Sequence, residues 1–440
     1  MRHVSCAVIG FSLALFATFG CDKVSEDNLN KWMQTQNGPG KITRALADKS
    51  VDDDLRAVAA RNMIRMDKWG DVKTWLDETP TDERQPIVAM LAGKLWEDAR
   101  IAEKLQVPTG VQQNAKDALF ELRAFTDDEG RAAIDGYLVE WLTGYYEGRA
   151  RSGRVGGHVI VRAIGPKAAE GLISDARSIV AAPPDKDGSR RLVGDNLLYG
   201  LALSGSPKAV GFVLDLAASP SKDETLQDRA MAALYNAYVK PKGIEPAEPK
   251  ALKPHASRLA DLIKNEDAPG AVRNDAVQLV AAMGMPECLP VYVDLMSYPD
   301  PADRFRWIGM QQGLRCGKLE AIVPVAEAMP PKADYRRANL DKYFLQEALG
   351  LQPKSEVAAR AETLLASDSP IARVVGIEIL GLIKLKSRAA QDAEKIKALS
   401  RDKHVLSGWW GKDGKDGKGK PVPTVGSRAA EVAAALSAPR

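Results

Sequence analysis

Along most of the chain, apolar residues recur at spacings of 3 and 4, and Pro, Gly or Asp clusters break the pattern every 12–20 residues. That is the period of an amphipathic helix; the strict alternation of a half-buried strand is sustained nowhere. In "DDDLRAVAARNMIRM" (52–66), Leu55, Val58, Ala59 and Met63 share one helical face. "PGAVRNDAVQLVAAMG" (269–284) follows the same plan with Val272, Arg273, Ala276, Val277 and Val280 before Gly284. "SPIARVVGIEILGLIK" (369–384) does so again with Arg373, Ile377, Leu380 and Gly381, and weaker copies lie at 188–205, 223–238 and 301–317. Second apolar helices follow after short polar turns, at 206–219, 286–298 and 318–329. Arg229, Arg273 and Arg306 are 44 and 33 residues apart, the size of a helix–turn–helix unit. A hairpin with apolar residues on several sides is stable only when neighbours cover them, so the pattern predicts an all-α stack of hairpins.

The stretches 52–66, 269–296 and 369–386 resemble the HEAT-repeat family, whose signature is Asp/Pro-x-Val-Arg-x-x-Ala-x-x-Ala-Leu, then Gly and a second helix. The resemblance implies an α-solenoid, a HEAT/armadillo-like superhelix, over 41–405. It also implies that the repeated arginine makes polar contacts between repeats and that the Ala and Gly positions allow close packing. The four-proline stretch 239–256 is expected to be an inter-helix loop and a hinge between two sub-arrays. "SGWWGKDGKDGKGKPVPT" (407–424) cannot hold a helix; a loop over 406–424 and a capping helix over 425–440 are expected there. Trp409 and Trp410, at the root of that loop, are read as closing the apolar end of the array, or as contacts for a partner.

The N-terminus breaks the pattern. After Met1-Arg2-His3, Val4–Phe19 is an uncharged, largely apolar stretch of 16 residues, and Gly20, Cys21 and Asp22 follow. A spanning helix needs roughly 20 apolar residues, whereas this length suits the core of a signal peptide. Gly20-Cys21 resembles the end of the lipobox of bacterial lipoproteins, with Thr18 in place of the usual Leu and Phe19 in place of the usual small residue. The resemblance implies removal of residues 1–20 and acylation of Cys21, whose several chains, palmitate among them, anchor the protein with 21–40 as a tether. The protein would then sit in the bacterial cell envelope and face the periplasm. Asp22 is an inner-membrane retention signal in some enteric bacteria but not in all, so inner and outer membrane both stay open.

Composition narrows the picture further. Of 440 residues, 45% are hydrophobic, 27% charged and 6% aromatic, which suits a folded chain of closely packed helices. Net charge is +3, and removing residues 1–20 takes away only Arg2, so no basic field points to nucleic acid. Cys288 and Cys316, 28 residues apart without a CxxC or a flanking His, do not make a zinc site. They are candidates for a disulfide in an oxidising compartment, or for two separate small buried residues.

Candidate chemistry is sparse. His158, His255 and His404 are far apart, and no HExxH, GxSxG, phosphate-binding loop or CxxCH occurs. "SPSK" (219–222) lies in a proline-broken turn, and "DKDGS" (185–189) lacks the distal ligands of a calcium loop. No enzyme activity, cofactor or metal is expected. In "GYYEGRARSGRVGGHVIVR" (144–162), Arg149, Arg151 and Arg154 lie in a glycine-rich bend beside Tyr145 and Tyr146. Clustered guanidinium groups and aromatics are the composition of partner-binding hot spots, and a solvated inter-helix loop is the alternative. The expectation is a lipid-anchored, non-catalytic scaffold binding envelope proteins. The competing reading is a lipoprotein that holds polysaccharide, peptidoglycan or lipid in its groove.

Overall fold

Local side-chain capping sets the start of several helices, those beginning at Asp53 and Gly110 among them. In the computed structural model, residues 23–101, 108–183, 192–219, 225–241, 243–299, 304–330, 337–406 and 422–438 are described. The expectations for Gly20, Cys21, Trp409 and Trp410 lie outside these residues. The chain divides into two units, the first comprising 1–141 with 152–155 and the second 142–151 with 156–440.

The first unit holds α1 (Glu26–Trp32), α2 (Gly38–Ala47), α3 (Asp53–Arg65), α4 (Trp69–Glu78), α5 (Thr81–Ala99), α6 (Gly110–Leu122) and most of α7 (Asp128–Leu142). Asp52 caps α3 by accepting from the Asp54 amide at 2.9 Å. Asp53 and Asp54 in its first turn and Arg65 in its last complement the helix dipole. Thr109 and Gln112 form a reciprocal capping box at the start of α6. Helix α3 is central: it packs on α2, α5 and α6, and buries Ala57 through Ala60 in an unbroken run.

The second unit begins with α8 (Tyr146–Arg149), α9 (Gly157–Ile164), α10 (Pro166–Ala181), α11 (Asp195–Leu203), α12 (Pro207–Ala218) and α13 (Leu226–Tyr238). After two short 3-10 turns come α14 (Ala256–Lys264), α15 (Gly270–Met283), α16 (Cys288–Ser297), α17 (Arg304–Gly317) and α18 (Ile322–Glu327). The last helices are α19 (Arg337–Leu340), α20 (Gln346–Gly350), α21 (Lys354–Leu364), α22 (Pro370–Ile383), α23 (Ala389–Lys397) and α24 (Val425–Ser437), with a π-helical turn at Asp341–Leu345 between α19 and α20. Helices α9, α11, α13, α15 and α17 pack one on the next, while α10 meets α12 and α14 meets α16 as a second layer. This is all-α solenoid packing, and among the described residues no strand occurs. Each repeat-like stretch in the sequence falls on a helix: 52–66 on α3, 269–284 on α15 and 369–384 on α22.

The repeated arginine does tie neighbours together. Arg56 reaches the Leu46 carbonyl and Glu83, each at 2.9 Å. Arg229 donates to Asp195 at 2.7 Å, and Arg373 to Asp402 at 2.9 Å and the Ser367 carbonyl at 2.7 Å. Arg273, in one of the clearest sequence matches, departs from this plan and buries its Nε without a hydrogen-bond partner. In the first unit Arg61 and Arg65 of α3 converge on Asp98 of α5, with Nε–oxygen distances of 2.9 and 2.7 Å. Burial pushes the Asp98 carboxyl up, but hydrogen bonds from the two guanidinium groups outweigh it and hold the carboxyl below its ordinary value.

At the far end, α24 packs on α22 and α23. Arg428 of α24 donates to the buried Glu378 of α22 through Nε at 2.9 Å and Nη2 at 2.6 Å. Val405 and Thr424 pair as an isolated antiparallel bridge, and Leu406 N donates to the Pro423 carbonyl at 2.9 Å. The Cys288 and Cys316 sulfurs meet as a disulfide between α16 and α17, with Cα atoms 6.4 Å apart.

Close helix approach depends on missing side chains at two positions. A Cβ on Gly376 would stand 2.6 Å from the Ala361 carbonyl oxygen of α21, and one on Gly309 2.5 Å from the Tyr292 carbonyl oxygen of α16. Backbone oxygen cannot rotate away as a side chain can. Gly376→Ala gains about 0.5–1 kcal/mol of helix propensity, yet overpacking costs about 1–3 kcal/mol. Net destabilisation is therefore expected in urea unfolding followed by circular dichroism. A variant as stable as the wild type would contradict backbone contact at this position.

Candidate functional site

The glycine-rich bend is shared between the units, with 142–151 in the second and 152–155 in the first. In the second unit, Tyr146 is 2% and Arg149 4% exposed. The partner-facing role expected of these two residues is therefore corrected. Arg149 donates to the Thr143 carbonyl; burial lowers its pKa and the nearby Asp175 opposes that shift. Asp175 also accepts from the Gly144 amide at 2.5 Å, so arginine and carboxylate together hold the turn before α8. Tyr145 is half-buried and Arg151 exposed.

Tyr146 opens a buried polar chain that sequence reasoning missed. Its hydroxyl lies 2.9 Å from Nδ1 of His158, whose Nε2 lies 3.3 Å from Oδ1 of Asn196. The Asn196 amide nitrogen donates to Glu147 at 2.9 Å, and Glu147 also accepts from the Leu197 amide at 2.8 Å. A carboxylate only accepts, so Glu147 turns the Asn196 amide nitrogen toward itself and its oxygen toward His158. His158 then donates from Nε2 and accepts the Tyr146 hydroxyl at Nδ1, a neutral tautomer fixed by Glu147 through Asn196. The Tyr199 ring stands edge-on to the imidazole, centroids 4.9 Å apart. This network organises the start of α9 and α11. Tyr146, Glu147 and His158 sit close in sequence, but Asn196 is 38 residues beyond His158 and carries no signal of its own.

In the first unit, Arg154 is exposed and pairs with Glu121, while its amide donates to Asp117 at 2.7 Å. Asp117 also accepts from the Val155 amide at 3.0 Å and from the fully buried Lys116. The Lys116 ammonium donates to the Ser152 carbonyl at 2.8 Å and lies 5.1 Å from the centre of the Trp141 ring. Burial lowers its pKa and Asp117 opposes that shift. Gly153 (φ +78°) is required here, since a Cβ would come within 2.8 Å of the ammonium. The lysine–aspartate pair is thus a clasp holding 152–155 on α6.

The same unit carries an open pocket of about 750 Å³. Its wall comprises Lys73 and Asp77 from α4, Arg84 from α5, Phe120 and Glu121 at the end of α6, Arg123, Ala124 and Phe125 in the following turn, and Arg131 from α7. Four cations face two carboxylates, and both carboxylates are already engaged. Asp77 pairs with Lys73 at 2.9 Å, and Glu121 accepts from the Trp69 indole at 2.6 Å besides pairing with Arg154. Arg84 caps the end of α4 by donating Nη1 to the Leu76 and Thr79 carbonyls at 2.8 and 3.2 Å. Its Nε is buried without a hydrogen-bond partner, a state that costs about 1–3 kcal/mol for an ordinary polar group and more for a charged one. Arg84 and Lys73 both lie over the Phe125 ring, at 5.5 and 5.8 Å, and Arg123 lies 5.3 Å from the Phe120 centroid. Arg123 also donates to Asp135 at 2.6 Å. Sequence reasoning did not single out any pocket residue.

Among the described residues no group of three or more His, Cys, Asp or Glu side chains is placed to hold a metal ion, and no helix is long and apolar enough to cross a membrane. No family model matches the chain, and no curated protein matches it. Similar solved structures include human deoxyhypusine hydroxylase in complex with glycerol, at 14% identity and a TM-score of 0.23, covering 80% of this chain and 96% of that one. Kap121p bound to Ste12p matches at 14% identity and a TM-score of 0.29, and Kap121p bound to Pho4p at 14% and 0.28. The chain spans 42% of the length of either Kap121p structure. At TM-scores this low the likeness carries no function across.

The His158 network makes a pH prediction. Burial, opposed by the Asn196 hydrogen bond, brings the imidazole pKa from 6.5 down to about 4. Between those values the unfolded chain takes up a proton that the folded chain refuses. Stability therefore falls as pH drops from 6.5 toward 4, by up to about 3 kcal/mol, and His158 adds no slope above 6.5. Urea unfolding at pH 7 and pH 4.5 should show a larger loss for the wild type than for His158→Asn. Equal losses would mean that the fold admits a charged His158.

Proposed function

We propose that the protein is a non-catalytic binding scaffold of the bacterial cell envelope, held to a membrane by lipid on Cys21 and using its helical array to engage protein partners. One observation carries the binding reading: the open pocket brings four cations together with two carboxylates, of which Asp77 pairs with Lys73 and Glu121 is committed to Trp69 and Arg154 outside the lining. Acid–base catalysis calls for a titratable group poised on the substrate; a surplus of positive charge beside aromatic rings serves recognition instead. The lipobox-like Gly20-Cys21 supports the anchor, and a location outside the cytoplasm accords with a Cys288–Cys316 disulfide. Arg151, Arg154 and Tyr145, together with Trp409 and Trp410, belong to this proposal as further partner contacts.

The test is crosslinking and affinity purification from envelopes, with wild type and Cys21→Ala in parallel. Wild type is expected in the membrane fraction, with acylated Cys21 as its first residue, a Cys288–Cys316 linked peptide and a reproducible protein partner. Cys21→Ala is expected to leave the membrane fraction. A variant that stays membrane-bound and unprocessed would overturn the lipid anchor, and an intact envelope preparation yielding no partner would overturn the scaffold.

A further inference from the structure

The pocket of the first unit identifies a class of occupant, and the inference rests on the scaffold reading above. Lys73, Arg84, Arg123 and Arg131 bring four positive charges to one concavity. Their own acidic neighbours leave capacity over. Lys73 and Arg131 each keep 46% of their side chains exposed, and Arg131 lies 3.7 Å from the fully exposed Asp128. Arg84 spends Nη1 on the Leu76 and Thr79 carbonyls and keeps its positive charge on the pocket wall. The pocket therefore selects for anionic oxygen atoms.

The phenylalanines narrow the choice. A sugar ring or a nucleobase is held by lying flat on an open aromatic face. Here Lys73 and Arg84 both stand over Phe125, and Arg123 over Phe120, so cations already occupy ring faces. Phe125 is itself buried, so recognition falls to charge. Acidic side chains supply the complementary charge, and a polypeptide backbone adds N–H donors for Oδ1 of Asp77, whose Oδ2 pairs with Lys73. A volume of about 750 Å³ accommodates several side chains and not a folded domain.

We propose that this pocket binds a carboxylate-rich, extended polypeptide segment of a partner protein. The site lies on helices α4 to α7, whose backbone is fixed by packing, so the cations are positioned before the partner arrives.

Fluorescence anisotropy on the full chain with a labelled oligoglutamate peptide tests the proposal. Saturable binding is expected, weakened about tenfold in Lys73→Gln/Arg131→Gln, since two exposed charge contacts are lost together. Unchanged far-ultraviolet melting of the double variant, whose substituted side chains are both half exposed, excludes unfolding as the cause. Equal affinity of wild type and double variant would overturn the pocket as the site. Tighter binding of oligogalacturonate than of oligoglutamate would overturn the polypeptide assignment in favour of an acidic polysaccharide. Saturable binding of inorganic phosphate in isothermal titration calorimetry, together with no binding of oligoglutamate, would overturn it in favour of a small anion. The envelope crosslinking experiment separates the two levels of the proposal. A partner captured without any oligoglutamate binding sinks the pocket and spares the scaffold, while peptide binding without a captured partner does the reverse.

Discussion

Helix α22 buries residues on every side. From Pro370 to Leu380, all but Arg373 are buried, and no single neighbouring helix can cover a cylinder all round. Coverage comes from α18 and α21 before it and α24 after it. The constraint recurs along the second unit: each long helix is stable because the preceding and following elements remove its apolar surface from water. Such a stack needs small residues where axes come close, which is why Gly376 and Gly309 face backbone oxygens.

Polar ties then fix the register that apolar burial leaves loose. Arg56, Arg229 and Arg373 each reach out of their own helix to a carboxylate or carbonyl, and Arg61 with Arg65 clamps Asp98. The Glu378–Arg428 pair is the most buried of these ion pairs, with side chains 3% and 11% exposed. Buried pairs give little net stability but are costly to break, about 3–5 kcal/mol when one partner is removed. They therefore specify which helix lies where more than they hold the helices together. The clasp of Lys116 and Asp117 and the chain from Glu147 to Tyr146 do the same for irregular backbone, by satisfying groups that no helix satisfies.

Much of the fold was legible in the sequence because helical period and arginine spacing are local properties. The stretches around Val272 and Ile377 read as helices without reference to anything distant, and they are α15 and α22. The candidate site was far less legible. Arg149 and Arg154 look alike on the page, five residues apart in a flexible-looking bend, yet one is buried and the other exposed. Only tertiary packing decides that difference. The pocket cations run from Lys73 to Arg131 on three helices and one turn, with no motif linking them. What makes them a site is the way α4 to α7 bring them together, and the way Trp69 and Arg154 draw off Glu121. Likewise His158 is one histidine among four until Asn196 is seen against it.

The central claim is that stability in the second unit is passed between neighbouring helices and not shared through one common core. Hydrogen exchange of the intact protein carrying Glu378→Gln tests it most directly, because the change weakens the contact between α22 and α24. Nearest-neighbour stacking predicts faster amide exchange in α22, α23 and α24, with protection in α9, α11 and α13 unchanged. An equal rise in exchange across all helices of the second unit would contradict the account.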